Sequence, residues 1–289
     1  MELEYETADV FTTTRFGGNP LAVVHGAEAL DGARMQAIAR EFNLSETVFV
    51  LPSGVADARL RIFTPGQEVP FAGHPNVGTA VLLARRMEGA PATLRLEQQA
   101  GIVTAWISRN AAGMPTAAEI EAPLPLQLGA NLDPGEVALC AGLPPGAIHL
   151  NGHPPIEAGC GLPFAIAEVE DVATLADATP DTAAFRRHLS RTGALLLHAP
   201  LGLGRRRVRM FSPLDGIGED PATGSANCAL AGLLLAVAGG SVLNLEVEQG
   251  VEMGRPSLLH LAARRDADGA IRVRVGGGVV PVARGTIWV

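Results

Sequence analysis

Short runs of β-forming residues and one helical repeat dominate the first part of the chain. Three strands are predicted by short apolar or alternating segments: residues 21–24 (LAVV), 47–51 (TVFVL) and 59–63 (RLRIF). The last of these alternates between charged and apolar side chains, which is typical of a strand with one buried face. Between the first two, Met35, Ile38, Ala39 and Phe42 follow helical spacing, so residues 33–42 are predicted to form a helix.

The same order of elements continues and then recurs in the second half of the chain. Residues 77–86 form an apolar run of helical length, and residues 94–98 and 102–107 are predicted to be a strand pair joined at Gly101. In the second half, RRRVRMF is the alternating strand, residues 227–238 are the apolar helix, and two further strands close the segment. Each half is therefore predicted to wrap a mostly antiparallel sheet around one apolar helix.

Direct comparison of the two halves shows an internal repeat. GHPNVGTA (residues 73–80) matches EDPATGSA (219–226) without a gap, RIFTP matches RMFSP, and GNPLAV matches GLPFAI, all in the same order. Three ordered matches indicate a duplication, and repeats of this kind determine the fold prediction. The fold class is therefore predicted as α+β with two pseudo-symmetric lobes, and residues 110–121 are the predicted linker.

Composition and charge exclude several classes of function. The chain has 289 residues, 47% of them hydrophobic, a net charge of −8 and no basic block, so neither nucleic acid nor an anionic membrane is an expected partner. The longest apolar runs, such as residues 228–238, are too short to span a bilayer, and the acidic N-terminus is unlike a signal peptide, so a cytoplasmic location is expected. The three cysteines, Cys140, Cys160 and Cys228, lack the spacing of a disulfide framework or a zinc site.

The two matched turns are candidates for binding an anion. Pro75 and Pro221 suit a first helical position, which would place His74 and Asp220 at the N-caps. Free N–H groups at such helix starts attract carboxylate or phosphate, and two lobes facing each other would direct both helix starts at one cleft. The alternative is that Asp before Pro is an ordinary helix start with no further role. The glycine spacing and the lack of a lysine do not fit a phosphate-binding loop.

NLSETVFV (residues 43–50) supplies a candidate acid or base. Glu46 stands at the beginning of an apolar strand, where burial would raise the pKa of its carboxyl toward neutrality, as a proton shuttle requires. The alternative is that Glu46 faces solvent at the end of the strand.

Four motifs together resemble one known family: GGNPLAVV, NLSETVFV, FTPGQEVPFAGHPNVGTA and FSPLDGIGEDPATGSA. The chain is similar from end to end to the phenazine-biosynthesis isomerases, the PhzF-like proteins, which have the diaminopimelate epimerase-like fold. The resemblance implies two barrel-like lobes, residues 1–115 completed by residues 282–289, and residues 116–281. It also implies an active site in the cleft between the lobes and a possible homodimer.

The resemblance further implies a proton shift between carbons of a small carboxylic acid, without a cofactor or metal. Glu46 occupies the position of the acid and base, with His74 and Asp220 as a supporting polar pair. The remaining positions carried over are expected to bind the substrate: Ser45, Gly73, Gly224 and Ser225. The family's best-known substrate is a dihydro-hydroxyanthranilate, and no motif in this sequence identifies a phenazine pathway.

Two alternatives remain open at this point. Epimerase and proline racemase relatives use a cysteine at the helix start of each lobe, whereas this chain has His74-Pro75 and Asp220-Pro221 there, which disfavours a two-thiol racemase. A non-catalytic binding protein that keeps the fold and the anion pocket is the other alternative. A local imitation of the His74 motif, NGHPP (residues 151–155), has neither the preceding strand nor the following helix and is predicted to be a loop.

Overall fold

A computed structural model of the protein describes residues 1–89 and 91–289. The chain divides into a first unit of Met1–Pro123 with Gly276–Val289, and a second unit of Leu124–Val275. In the part of the chain that the structure describes, no helix has both the length and the apolar character needed to cross a membrane.

The first unit contains the following elements, in chain order: β1 (Glu2–Val10), β2 (Asn19–Val24), α1 (Gly32–Phe42), β3 (Glu46–Leu51), β4 (Ala58–Phe63), β5 (Glu68–Val69), α2 (Gly73–Arg86), β6 (Thr93–Gln98), β7 (Gly101–Arg109) and β8 (Pro115–Glu121).

The second unit begins with β9 (Gln127–Asn131), α3 (Pro134–Cys140), β10 (Ile148–His149), β11 (Ile156–Gly159), β12 (Pro163–Val169), α4 (Val172–Ala176), α5 (Thr182–His188), β13 (Leu195–Gly202) and β14 (Arg205–Ser212). After a 3-10 turn at Pro213–Asp215 come β15 (Ile217–Asp220), α6 (Gly224–Ala238), β16 (Val242–Gln249) and β17 (Ser257–Arg265). The long strand β18 (Ile271–Trp288) starts in the second unit and ends in the first.

Eight strands of the first unit close into a barrel. The pairings run from β1 to β2, β3, β4, β6, β7, β8 and β18, and β18 returns to β1, where Glu2 is opposite Trp288. Helix α2 packs against β8, β7, β1 and β2, and most of its residues are buried. Residues 73–82 are all buried, so only the last turn of the helix, with Arg85 and Arg86, reaches solvent.

Helix α1 forms as its spacing predicts and covers the outside of this barrel. Met35, Ile38 and Ala39 are buried in a cluster with Phe49 of β3 and Phe63 of β4. The Asp31 carboxylate accepts a hydrogen bond from the backbone N–H of Arg34, and Asn43 ends the helix in the left-handed conformation, with φ 51°. Both ends therefore have the side chains that helix termini prefer.

The second unit repeats this plan around α6. The strands β12 and β13 pair in parallel, as β2 and β3 do, and β14 pairs in parallel with β16, as β4 does with β6. Helix α6 packs against β17, β11, β16 and β12. Three short helices, α3, α4 and α5, take the place of α1 and bury Val137, Leu175 and Phe185 in one apolar cluster.

Side-chain contacts repeat as well as strands. In the first unit Arg61 forms a bidentate bond to Glu68 and lies over the Phe63 ring at 5.2 Å. In the second unit Arg209 forms the same bond to Glu219 and lies over Phe211 at 4.9 Å. The predicted α+β class and the internal duplication are thus expressed in matched contacts as well as in topology.

One part of the predicted organisation is wrong. Residues 110–121 are not a linker, because they contain a turn and then β8, which pairs with β7 along its length. The glycine and proline content of this segment reflects the tight turn at residues 110–113, where the Asn110 side chain accepts N–H bonds from Ala112 and Met114.

Candidate active site

Helix α2 begins earlier than the sequence pattern predicts. Its first residue is Gly73, so His74 is the second helical residue and Pro75 the third, and the N-cap position belongs to Ala72. The prediction that His74 is an N-cap is therefore wrong. Pro75 is still within the first turn, where a missing N–H removes no intrahelical hydrogen bond.

Helix α6 begins later than an N-cap at Asp220 would require, and earlier than the apolar run that starts at residue 227. Its first residue is Gly224 and its N-cap is Thr223, whereas Asp220 is the last residue of β15, so Asp220 is not an N-cap either. The Asp220 carboxylate accepts a hydrogen bond from the Thr223 hydroxyl, and the Asp220 carbonyl accepts one from Gln249 Nε2 at 2.7 Å. These bonds fix a buried carboxylate just before the helix.

The two central helices differ from the others in how they begin. Four shorter helices have an Asp N-cap whose carboxylate accepts a backbone N–H bond: Asp31, Asp133, Asp171 and Asp181. Neither Ala72 nor Thr223 makes a side-chain cap bond. Both long helices consequently start at a glycine with first-turn N–H groups that no side-chain cap occupies, which is the arrangement that binds anions.

An amide pair holds each of these helix starts, and sequence reasoning missed it. Asn76 Nδ2 donates to the Ala72 carbonyl at 2.8 Å, and Gln98 Nε2 donates to Asn76 Oδ1 at 2.8 Å. In the second unit Asn227 Nδ2 donates to the Thr223 carbonyl at 2.9 Å and to Gln249 Oε1 at 2.7 Å. The Asn and the Gln are 22 residues apart in both units, a spacing that was available as a sequence signal.

The amide pairs correct the alignment of the two halves. Gly73 and Gly224, Asn76 and Asn227, and Gln98 and Gln249 are separated by the same number of residues. In that register His74 corresponds to Ser225, not to Asp220. The ungapped match of GHPNVGTA with EDPATGSA aligns similar residues that occupy different positions in the two repeats.

Glu46 and His74 are the two predicted residues that the first unit brings into contact. Glu46 is the first residue of β3 and pairs with Leu21 of β2, and its Oε2 lies 3.4 Å from His74 Nδ1. The His74 side chain is 4% exposed and that of Glu46 16%. Gly78 allows α2 to pack closely on β2, because a Cβ at this position would lie 2.5 Å from the Leu21 side chain.

His74 is a neutral imidazole at ordinary pH. Burial lowers its pKa to about 3, against the smaller opposing effect of the Pro20 carbonyl. Its Nε2 is buried and has no hydrogen-bond partner among the described residues. Since the ring carries no charge, its contact with Glu46 is not a charge pair, and the carboxylate keeps the capacity to accept a proton.

The other predicted site residues lie at the starts of β3, α2 and α6. Ser45 directly precedes β3 and is half-buried, and Gly73 is the first residue of α2. Gly224 is buried as the first residue of α6, and Ser225 follows it, half-buried. Ser45, Glu46, Gly73 and His74 thus belong to the first unit, while Asp220, Gly224 and Ser225 belong to the second.

The cysteines do not have the properties of catalytic bases. Cys228 is the fifth residue of α6, and burial raises the pKa of its thiol well above the usual value. Burial also raises the pKa of Cys160 to about 12 and that of Cys140 to about 11. A thiol must lose its proton to act as a base or nucleophile, so these side chains are inert at neutral pH.

The lowered pKa of His74 predicts a specific dependence of stability on pH. The unfolded chain binds a proton at this residue below about pH 6.5 and the folded protein does not until about pH 3, so stability falls as the pH drops through this interval. We expect His74 to account for a loss of about 3 kcal/mol between pH 6.5 and pH 4. Urea unfolding of wild type and His74→Gln at several pH values gives the free energy of unfolding of each protein against pH. The difference between these two curves is the contribution of His74, because every other titrating group contributes to both. Parallel curves would contradict the assignment.

Comparison with known proteins gives consistent results over the whole chain. The family profile described as "Phenazine biosynthesis-like protein" matches residues 8–285. The trans-2,3-dihydro-3-hydroxyanthranilate isomerase of Pseudomonas chlororaphis is 40% identical over 291 residues, which cover 98% of each chain.

Solved structures agree with this result. The crystal structure of a Bacillus anthracis phenazine biosynthesis protein of the PhzF family has a TM-score of 0.89 at 27% identity and covers both chains completely. A hydroxyproline epimerase from Agrobacterium vitis shares the fold, with a TM-score of 0.68 at 13% identity, covering 99% of this chain and 91% of its own.

Proposed function

The chain belongs to the phenazine biosynthesis-like protein family and is an isomerase, and we propose that it moves a proton between two carbons of a small carboxylic acid, with Glu46 as the general acid and base. The proposal needs no cofactor, as the family resemblance implies. Its support comes from the residues around the start of α2.

The observation that carries the proposal is the contact of Glu46 with a neutral histidine. Glu46 Oε2 lies 3.4 Å from His74 Nδ1, and burial keeps the imidazole uncharged. A cationic partner would stabilise the carboxylate and weaken it as a base, whereas a neutral imidazole orients it without that effect. In this proposal Glu46 carries the proton, and His74 orients the Glu46 carboxylate.

The open helix starts supply the second part of the proposal. Removing a proton next to a carboxylate builds negative charge on the carboxylate oxygens, and unoccupied N–H groups at a helix start stabilise that charge. Gly73 begins α2 and Gly224 begins α6, and neither helix has a side-chain cap bond. We assign substrate-carboxylate binding to these glycines together with Ser45 and Ser225, and a supporting polar role to Asp220. We propose that all of them act on one substrate.

A single base distinguishes a proton shift from racemisation. One carboxylate can take a proton from a carbon and return it to the same face of the molecule at another carbon. Racemisation needs a group on each face; the helix starts have no cysteine pair, and Cys160 and Cys228 are buried with raised pKa values. The arrangement therefore favours the proton shift over the two-base epimerase reaction.

The first substrate to test is trans-2,3-dihydro-3-hydroxyanthranilate, because a 40% identical relative is named as its isomerase. Wild-type protein is incubated with this acid in heavy water, with proline and 4-hydroxyproline enantiomers in parallel. Carbon-bound deuterium in an isomerised product supports the proposal. Deuterium at the α-carbon of the imino acids with inversion would establish the racemase instead, and the absence of exchange in every acid would contradict both.

A further inference from the structure

The second unit contains a buried cluster of two histidines and one carboxylate that the proposed reaction does not use. It consists of His153, Glu168 and His198, which are 3%, 7% and 0% exposed. One ligand atom from each of them lies within 4.8 Å of the other two. Buried polar groups of this kind require partners, because an unsatisfied one is costly in a protein interior.

Different elements bring the three side chains together. Glu168 lies in β12 and His198 in β13, and the two residues are direct neighbours in the parallel pairing of these strands. His153 belongs to the NGHPP segment between β10 and β11, which is a loop as predicted. Gly152 makes room for the carboxylate, because a Cβ there would lie 2.0 Å from Glu168 Oε2.

The hydrogen bonds of His153 fix the state of its ring. Its Nδ1 lies 2.7 Å from the Pro154 carbonyl, which can only accept, so Nδ1 carries the proton and Nε2 has a free lone pair. An imidazole whose second nitrogen donates to a backbone carbonyl is the usual arrangement of a metal-ligating histidine. His153 is thereby prepared to ligate through Nε2.

His198 is left with an unsatisfied atom in this arrangement. Its Nε2 lies 2.9 Å from His153 Nε2, so in this contact His198 is the donor. Its Nδ1 is then an acceptor, buried and without a partner among the described residues. A hydrogen bond between two imidazoles therefore satisfies only part of the cluster.

We propose that His153, Glu168 and His198 bind one divalent transition-metal ion, with Zn²⁺ as the best match. Two imidazoles and one carboxylate are a recurrent protein ligand set for zinc, which holds nitrogen and oxygen at about 2.0–2.2 Å. Tetrahedral ligands at that radius are about 3.4 Å apart, between the 2.9 Å and 4.8 Å of this cluster, so small side-chain movements complete the site.

Charges of both signs act on the cluster. Glu168 supplies a negative charge, and Arg206, the basic side chain that acts on His198, opposes it. The ligand set uses no cysteine, so the cysteine spacing gave no indication of it. None of the residues assigned to the isomerase reaction belongs to the cluster, so metal binding here does not depend on the proposed function.

The test is Zn²⁺ binding by chelator-treated full-length protein. A chromophoric chelator in competition measures the stoichiometry, Co²⁺ absorption reports the coordination number, and thermal unfolding reports stabilisation by bound metal. We expect wild type to bind one Zn²⁺, to give the intense Co²⁺ bands of a four-coordinate site, and to unfold at a higher temperature when Zn²⁺ is added.

Three variants locate the ion. Glu168→Gln keeps the shape of the side chain, and His153→Gln changes a loop residue; each is expected to weaken Zn²⁺ binding at least about 10-fold. His260→Gln is the control, because His260 forms a surface pair with Glu246 at 3.5 Å and would account for non-specific binding. Failure of wild type to bind Zn²⁺, or equal binding by wild type and folded Glu168→Gln, would overturn the proposal.

Discussion

Replacing Glu46 by Gln is expected to lower kcat about 1,000-fold while leaving the fold and KM nearly unchanged. General acid–base catalysis by one positioned group contributes about 100- to 10,000-fold, and an amide cannot accept the proton that the carboxylate takes from carbon. The Gln side chain has the same shape and keeps a polar contact with His74 Nδ1, so the site remains assembled. Steady-state kinetics with trans-2,3-dihydro-3-hydroxyanthranilate and deuterium incorporation measure the effect.

Glu41→Gln is the matched control for this experiment. Glu41 lies near the end of α1, five residues before Glu46, and is exposed. It undergoes the same change of charge and chemistry at the surface, and its activity should equal that of wild type. If Glu46→Gln incorporates deuterium at the wild-type rate, Glu46 is not the base, even if the isomerase reaction itself is established.

Local patterns in the sequence predict the elements of this fold well. The helical spacing of Met35, Ile38 and Ala39 places α1 to within one residue, and Asn43 ends it as expected. The alternation in RLRIF predicts β4, whose Leu60 and Ile62 are buried while Arg59 is exposed. These predictions succeed because burial on one face is a property of neighbouring residues and is visible in a short segment.

The register between the two repeats could not be read from short matches. RIFTP and RMFSP align correctly, since Arg61 and Arg209 make the same contacts. After them, however, a 3-10 turn and a longer β15 lengthen the second repeat before α6 begins. An ungapped match cannot detect this, and His74 was consequently set against Asp220. The predicted roles of Glu46 and His74 do not depend on this alignment, because they come from the family motifs and not from the repeat.

The amide pairs at the helix starts could not be predicted from the sequence for a different reason. Asn76 and Gln98 act only as a pair, and each alone is an ordinary polar residue in a helix or at a strand end. The same is true of His153, Glu168 and His198, which three separate segments bring together. Contacts between distant segments require the topology, which composition and periodicity do not provide.

The duplicated arginine contacts lead to the last prediction, that Arg209→Met destabilises the protein far more than Arg61→Met. Arg209 Nη1 donates to the carbonyls of Leu175, Ala176 and Ala178 at 2.7–3.1 Å, in addition to the bidentate bond to Glu219, and its side chain is 9% exposed. The guanidinium thereby donates to carbonyls at and just beyond the end of α4, where the helix runs out of N–H donors; of the three, Leu175 also accepts a backbone N–H bond from Ala178.

Arg61 lacks these additional bonds and is the natural control. It makes the same bidentate contact with Glu68, but its side chain is 24% exposed and that of Glu68 is 21% exposed. Removing one member of a fully buried ion pair costs about 3–5 kcal/mol and an exposed pair contributes about 1 kcal/mol or less, so the more exposed Arg61–Glu68 pair should lose less than Arg209 with its three further bonds. Urea unfolding of both variants measures the two losses.

A second substitution separates the parts of the Arg209 effect. In the double variant Arg209→Met/Glu219→Leu the half-buried Glu219 carboxylate is gone, so part of the stability lost in Arg209→Met should return, while the carbonyls of Leu175, Ala176 and Ala178 still lack the arginine donor. Equal losses for Arg61→Met and Arg209→Met would show that the three carbonyl bonds contribute nothing. A double variant no more stable than Arg209→Met would assign the whole cost to those carbonyls, and therefore to the end of α4 instead of the ion pair.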